Sequence, residues 1–428
     1  MNFTQHSLGQ GVRLFLCETN KFRSLTCKAF IQQDLKTKEA TCTALLPLLL
    51  RRGSQKLPST LHIARELEDL YAAEFGSDVL KIGERQILEF YFQMVDPALL
   101  PQGEKHLERG MGVFWEIATQ PLGPRDRFLD SYFEQEKHTL EQDLKGLVND
   151  KRSYALARST ALMCGHEPFG IYKYGDLGTL QSLENEDVYG HYQMLRSRYP
   201  LDIFLVGPNL QKVADLLASL VSVRDQLAEL QEPHKVEVAK PRFFEETMEV
   251  QQAVVVMSYR TNCNYRDADY YSLLVGNGIL GGFAHSKLFM NVREKAGLAY
   301  YVGSSIEGSK GLLIISAGIN DEKTEQALEI IRKQVGSVQA GQISPEELEQ
   351  TKRGLISAMT SMNDSPSGII DRNLIGIVQD QMRTIDEVVE AIRLVQHDDV
   401  VRAMGRIDLD TIYVLRSPDQ EGASHGEN

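Results

Sequence analysis

Lys287-Leu288-Phe289-Met290-Asn291-Val292-Arg293-Glu294-Lys295-Ala296-Gly297-Leu298-Ala299-Tyr300 runs into Tyr301-Val302-Gly303-Ser304-Ser305 and then into the apolar stretch Gly311–Ile319. Arg293 and Tyr300 stand seven residues apart, which is two turns of one face if the segment is a continuous helix. Gly297 argues against continuity, because glycine is the usual residue just past a helix end. The reading is therefore a helix that stops at Gly297, a turn, and a strand over Leu298–Val302 that brings Tyr300 back beside Arg293. Gly311–Ile319 reads as the next strand.

Outward from this stretch, the order of elements repeats. A strand-like opening (Gln251–Tyr259) and an apolar-periodic helix (about Asp267–Gly276) precede it, and a charged amphipathic helix (about Pro345–Met362) follows. The first half has the same series: strands at Val12–Cys17 and Leu25–Gln32, a helix at about Lys38–Arg52, a strand at Ile87–Val95 and a charged helix at about Arg127–Asp150. Both charged helices end in a similar sequence, Asn149-Asp150-Lys151-Arg152-Ser153 and Asn363-Asp364-Ser365-Pro366-Ser367. Each half closes with a helix that starts at acidic residues (Glu184-Asn185-Glu186-Asp187; His397-Asp398-Asp399) and a strand (Asp202–Val206; Thr411–Leu415). Runs of strands and helices in this order predict an α+β fold of two tandem homologous halves. Each half is expected to be a mainly antiparallel sheet with helices packed on one face. The expected domains are 1–228 and 246–416, joined by a polar, proline-containing linker at 229–245 and followed by a flexible Gly/Ser-containing tail at 417–428.

The 428 residues are 42% hydrophobic and 25% charged, with net charge -13 and no basic block. This is a globular balance, and it argues against nucleic acid or an anionic membrane surface as the partner. The longest apolar stretch, Ala44–Leu50, is too short to span a bilayer. No basic segment followed by an apolar run opens the chain, so no signal peptide is expected. Cys17, Cys27, Cys42, Cys164 and Cys263 are odd in number and widely spaced, as in a reduced cytoplasmic protein.

The ten histidines include no pair four residues apart, the spacing that sets two imidazoles on one helical face toward a metal. Glu134, His138 and Glu141 have helical spacing, and their plain reading is a solvated face with local charge pairing. Gly276-Asn277-Gly278-Ile279-Leu280-Gly281 matches a dinucleotide-type glycine pattern, but a helix precedes it where a strand is required. It reads instead as a helix C-terminal turn with glycine at positive φ.

The stretch from Lys287 to Tyr300 resembles the second-half signature of the insulinase/pitrilysin/mitochondrial-processing-peptidase family, the inverzincins. Gly165-His166-Glu167-Pro168-Phe169-Gly170 with Gly175 resembles a family turn, so the likeness covers nearly the whole chain. It implies processing-peptidase-like half-barrels, with Arg293 and Tyr300 reaching across to a zinc site in the other half-barrel, where a guanidinium and a phenol serve developing oxyanion charge. It also implies a glycine-rich, substrate-contacting loop at Gly278, Gly281 and Gly282. The departure lies in the first half. Aligned on Arg51-Arg52-Gly53, the family's His-x-x-Glu-His falls on Ala44-Leu45-Leu46-Pro47-Leu48, so Ala44 and Leu48 replace both ligands and Pro47 the base. The distal carboxylates fall on Glu136 and Asp143. Metal binding by this chain is therefore not expected.

Members of the family with divided function work as pairs. The resemblance implies the zinc-free subunit of a heterodimeric peptidase: a zinc-bearing homologue as partner, zinc in that partner, unfolded peptide as substrate, no activity alone, and peptide added to an exposed sheet edge. The rival is an inactive scaffold or binding protein using the same fold. A self-sufficient hydrolase has no nucleophile or metal cluster behind it.

Overall fold

A computed structural model describes residues 2–418 apart from 235 and 239. It opens with strands β1 (Thr4–Gly9), β2 (Val12–Glu18) and β3 (Ser24–Asp34), then helices α1 (Thr37–Leu50) and α2 (Thr60–Asp69). The hairpin β4 (Glu74–Ile82) and β5 (Arg85–Val95) leads to α3 (Gly103–Thr119), α4 (Asp130–Gly146), α5 (Lys151–Met163), α6 (Leu177–Ser182), α7 (Asn185–Arg198), β6 (Leu201–Gly207) and α8 (Leu210–Leu220). Then come β7 (Arg242–Thr247), β8 (Ala253–Arg260), α9 (Tyr270–Asn277), β9 (Ala299–Glu307) and β10 (Leu312–Ile319). Helices α10 (Thr324–Gln339), α11 (Pro345–Ser361), α12 (Pro366–Val378), α13 (Ile385–Leu394) and α14 (His397–Met404) precede the last strand, β11 (Asp408–Arg416). The stretch expected as a linker shows no described helix or strand before Arg242, where β7 starts. From residue 419 the expected tail lies outside the described residues.

The two sheets share one topology. The first has strand order β1-β2-β6-β3-β5-β4 and the second β7-β11-β8-β10-β9. In each, one parallel pair (β2 with β6; β7 with β11) adjoins antiparallel pairings throughout the rest. Matching β2, β6, β3, β5 and β4 to β7, β11, β8, β10 and β9 superposes the pattern, leaving β1 as an addition. The α+β fold of two tandem halves is thus present.

The compact units are not contiguous in sequence. One comprises Met1–Gly146, Glu167–His234 and Thr360–Ile385; the other comprises Leu147–His166, Lys235–Met359 and Asp386–Asn428. In the first unit, α1, α3, α4, α7 and α8 cover one face of the sheet around Leu45, Phe114 and Tyr192. The opposite face carries Phe15, Phe30 and Phe204, with Phe15 and Phe204 stacked at 4.6 Å. Helix α12 closes it with Ile369, Ile370, Leu374 and Ile377. Burial of such side chains stabilises by about 1.5–3 kcal/mol each. In the second unit one face packs on α9, α10 and α14, and the other, with Val254, Val256, Tyr413 and Leu415, packs on Ala155 of α5. Helices therefore cover a second face as well as the expected one. The continuous burial of β6 and β8 has this cause, since a strand covered on both faces has no solvent side.

Local sequence explains both crossing helices. Asp150 accepts from the backbone N–H of Arg152 and of Ser153, 3.1 Å each, and caps α5. Ser365 accepts from Gly368 N–H at 3.2 Å ahead of Pro366, and caps α12. The repeated Asn-Asp sequence thus starts a new helix in each half.

Candidate active site and its degenerate counterpart

The Arg293 segment is a helix of the wide, π type over Phe289–Lys295. Gly297 closes it at φ +61°, with Gly297 N–H donating to Arg293 O (3.1 Å) and Leu298 N–H to Val292 O (3.0 Å). This pair of bonds is the glycine-dependent helix stop expected from the sequence. Strand β9 then starts at Ala299 on the edge of its sheet. Gly318 pairs with Tyr301 and Ile319 with Ala299, so Tyr300 is the extra residue of a β-bulge. A bulge re-aims its unpaired side chain, and Tyr300 is 76% exposed. The Arg293 guanidinium lies 4.8 Å from the Phe289 ring centre, and its Nε lies 3.8 Å from the Glu294 carboxylate. Chemically, the unit presents a half-exposed cation and a phenol that has no hydrogen bond among the described residues. Such groups can anchor a peptide carbonyl or donate to an oxyanion.

The glycine-rich stretch differs from its reading. Helix α9 runs through Gly276 and continues as a π-type turn over Gly278–Gly282, and none of these glycines has positive φ. Their role is close approach. A Cβ on Gly276 would lie 2.5 Å from Met404 Cγ, one on Gly278 2.5 Å from Thr351 Cγ2, and one on Gly281 2.7 Å from Ser304 N. Gly278 is buried, Gly281 half-buried and Gly282 exposed.

In the first unit, Ala44, Pro47 and Leu48 of α1 line a cavity of about 440 Å³ together with Leu140 and Asp143 of α4 and Tyr172. Pro47 lies inside α1, where it lacks the N–H that would bond Thr43 O. Asp143 is exposed, and no hydrogen bond or ion pair involves it among the described residues. Glu136 is elsewhere: it is buried and pairs with Arg52 at 3.2 Å, while Arg52 lies 4.5 Å from the Tyr132 ring centre. The cavity does not suit zinc. Its wall offers aliphatic carbon at Ala44 and Leu48, and among the described residues no three His, Cys, Asp or Glu side chains converge; zinc takes three or four such ligands. The Glu134-His138-Glu141 face is solvated, with His138 3.7 Å from Glu141 and Glu141 bonded to Lys145 at 2.8 Å.

The sequence reading missed the residues that complete this wall. Tyr174 Oη donates to Asp78 at 3.0 Å, and Ser77 Oγ donates to Pro47 O at 3.2 Å. Burial, then Asp78, pushes the Tyr174 phenol well above its ordinary range. Only the alternation Tyr172-Lys173-Tyr174 hinted at it, because the contacts join positions 96 residues apart for Tyr174 with Asp78 and 30 apart for Ser77 with Pro47.

Residues 182–355 match the family described as "Peptidase M16 inactive domain". Over 416 residues, 97% of this chain and 97% of the other, the sequence is 31% identical to the probable inactive metalloprotease YmfF of Bacillus subtilis (strain 168). The chain belongs to the M16 peptidase family. Within that family it is a homologue of the inactive kind, in keeping with Ala44, Pro47 and Leu48 at the degenerate positions. A solved conserved protein from Enterococcus faecalis V583 is 26% identical, with a TM-score of 0.89, covering 99% of this chain and 100% of that one. The M16 inactive domain from Pseudomonas fluorescens has a TM-score of 0.80 at 17% identity over 98% of this chain and 99% of that one, a likeness of fold alone. No helix among the described residues is long and apolar enough to cross a membrane.

Proposed function

We propose that this chain is the zinc-free subunit of a heterodimeric M16 peptidase. It binds unfolded peptide and supplies Arg293 and Tyr300 to the zinc site of a homologous partner subunit. The observation that carries this reading is the bulge that turns the Tyr300 phenol outward, one glycine stop away from Arg293. A phenol held 76% exposed on a sheet edge has no packing role. We place the protein in the cytoplasm, in keeping with five free, buried thiols.

The test is co-expression with a zinc-bearing homologue, followed by turnover of an unfolded peptide. Tyr300→Phe and Arg293→Ala in the assembled pair should each lower turnover by about 10²–10³, the usual cost of one oxyanion donor. Association should persist, because neither change removes much apolar surface. The rival reading, a binding protein on the same fold, is favoured by the aliphatic lining of the cavity around Ala44 and Leu48. Under it, Tyr300→Phe leaves every activity of the complex unchanged.

A further inference from the structure

The helix-covered face of the first sheet holds a cavity of about 350 Å³ near the C-terminal ends of α3, α7 and α8. Ile31 of β3, Phe90 of β5 and Leu201 of β6 line it from the sheet, and Trp115 of α3 and Leu220 of α8 add apolar surface. Gln120, Ser219 and Ser222 are exposed and mark the open side. The volume is at the lower end of small-molecule pockets.

The charges in this lining do not balance. Lys56, Arg196 and Arg224 are set against one carboxylate, Glu116. Glu116 is already engaged, accepting from the backbone N–H of Lys56 at 3.0 Å with Lys56 Nζ 3.9 Å away. The carboxylate that acts on Arg224 from β6, Asp202, is held by Arg13 at 2.6 and 3.0 Å and by Gln32 at 2.6 Å. Among the described residues neither Arg196 nor Arg224 forms an ion pair. Their bonds are to neutral groups. Arg196 Nη1 donates to Thr119 O at 2.7 Å, and its guanidinium lies 5.3 Å from the Tyr192 ring centre. Arg224 donates from Nε to Tyr199 O at 2.8 Å and from Nη1 to Ser222 O at 3.2 Å.

Arg224 is 5% exposed. A charge taken out of water is costly unless an opposite charge meets it. Burial, then Arg196, pulls the Arg224 guanidinium down to about 10, although Asp202 acts the other way. The chain itself holds Arg224 in this position. Helix α8 ends at Leu220, and the segment after it folds back so that Arg224 N–H donates to Gln10 O (3.0 Å) and Asp225 N–H to Ser197 O (3.2 Å). An anion between the two guanidinium groups would supply the missing charge, and a carboxylate matches the planar fork of an arginine. The aromatic and aliphatic side chains beside it favour an apolar body on that anion.

We propose that the cavity bounded by Arg196, Arg224 and Trp115 is a binding site for a small carboxylate with an apolar body, its carboxylate set between the two arginines and its body against Phe90, Trp115 and Leu220. The site lies entirely within the first unit and makes no use of Arg293 or Tyr300.

Trp115 is the one tryptophan of the chain, so its fluorescence reports directly on this cavity. The full chain is titrated with 3-phenylpropionate, 3-phenylpropanamide, propionate and inorganic phosphate at about 150 mM salt, where general surface attraction is screened. 3-Phenylpropionate should change the fluorescence saturably. The amide, which lacks the charge, and propionate and phosphate, which lack the apolar body, should each bind at least ten-fold more weakly. Arg196→Gln should lower affinity for 3-phenylpropionate at least ten-fold. Gly112→Leu leaves every charge in place and fills the space, since Gly112 lines the cavity and a Cβ there meets nothing within 4 Å. It should lower affinity at least ten-fold at unchanged or higher thermal stability, leucine being the better helix former. Equal affinity for the acid and the amide, phosphate binding as tightly as the acid, full affinity in Gly112→Leu, or no saturable change with any probe would each overturn the proposal.

Discussion

The guanidinium of Arg152 lies over the ring of Tyr301, 4.7 Å from its centre, and so ties α5 to the strand that bears the Tyr300 bulge. Arg152 Nη2 also reaches Ser316 Oγ at 3.5 Å. The Tyr301 hydroxyl is buried and has no partner among the described residues. Removing an unsatisfied buried group relieves its desolvation cost. Tyr301→Phe should therefore leave the melting temperature unchanged or raise it. Arg152→Ala should destabilise by about 0.5–2 kcal/mol, the range of a cation–π contact. Thermal unfolding of both variants checks the pair, and a marked loss in Tyr301→Phe would show that the hydroxyl is bonded.

His191 predicts an acid sensitivity. It is buried, with Nε2 2.8 Å from Thr43 Oγ1, and burial, then Lys38, pulls its pKa down to about 4. An unfolded histidine titrates near 6.5. Because the folded value is the lower one, the unfolded chain binds the proton more readily. The contribution is fully present above pH 6.5 and is lost as pH falls toward 4, on the order of 3 kcal/mol in all. Urea midpoints from pH 7 to 4 should show this fall, and His191→Gln should flatten it. An unchanged slope in the variant would assign the fall to other groups.

Three glycine substitutions separate space from backbone. Gly281→Ala places a Cβ 2.5 Å from Ser304 Oγ and 2.8 Å from Leu288 Cδ1, and should cost about 1–3 kcal/mol. Gly282→Ala, with nothing closer than 3.5 Å, should be nearly neutral. Gly297→Ala meets open space but keeps φ +61°, so its cost of roughly 1–2 kcal/mol is conformational, and Gly297→Asn should recover part of it. Denaturant titration should show the largest loss in Gly281→Ala, a smaller one in Gly297→Ala, and wild-type stability in Gly282→Ala.

The purified chain is expected to carry no stoichiometric zinc, because Ala44 and Leu48 supply no ligand atom. Elemental analysis after dialysis checks this. One zinc per chain, lost in Asp143→Ala, would reverse the reading of the degenerate site.

Much of the fold was legible because period and punctuation are local. The charged helices read at about 127–150 and 345–362 are α4 and α11, and the strand at Ile87–Val95 is β5. Gly297 was legible for the same reason, as a stop signal within one turn of its partners. What escaped was long-range. Asn149-Asp150 and Asn363-Asp364 were read as helix ends, yet Asp150 caps the next helix, and nothing in α5 or α12 states which sheet it will cover. The glycines at 276–282 were read by φ when their cause is the approach of Met404, Thr351 and Ser304, each distant in sequence. The Tyr300 bulge depends on the register of β9 against β10, which two strand patterns alone leave open.

The exchange of α5 and α12 also sets a schedule for synthesis. All six strands of the first sheet have been made by His234, but the helix that covers Phe15, Phe30 and Phe204 begins at Pro366, about 130 residues later. At typical elongation rates that interval is on the order of ten seconds. During it an aromatic sheet face stands open to water beside the ribosome, whereas α5 is made before its own sheet and only has to wait. A nascent chain stalled anywhere between these points should be a client for chaperones that hold exposed apolar surface, and release should coincide with the emergence of Ile369 and Ile370.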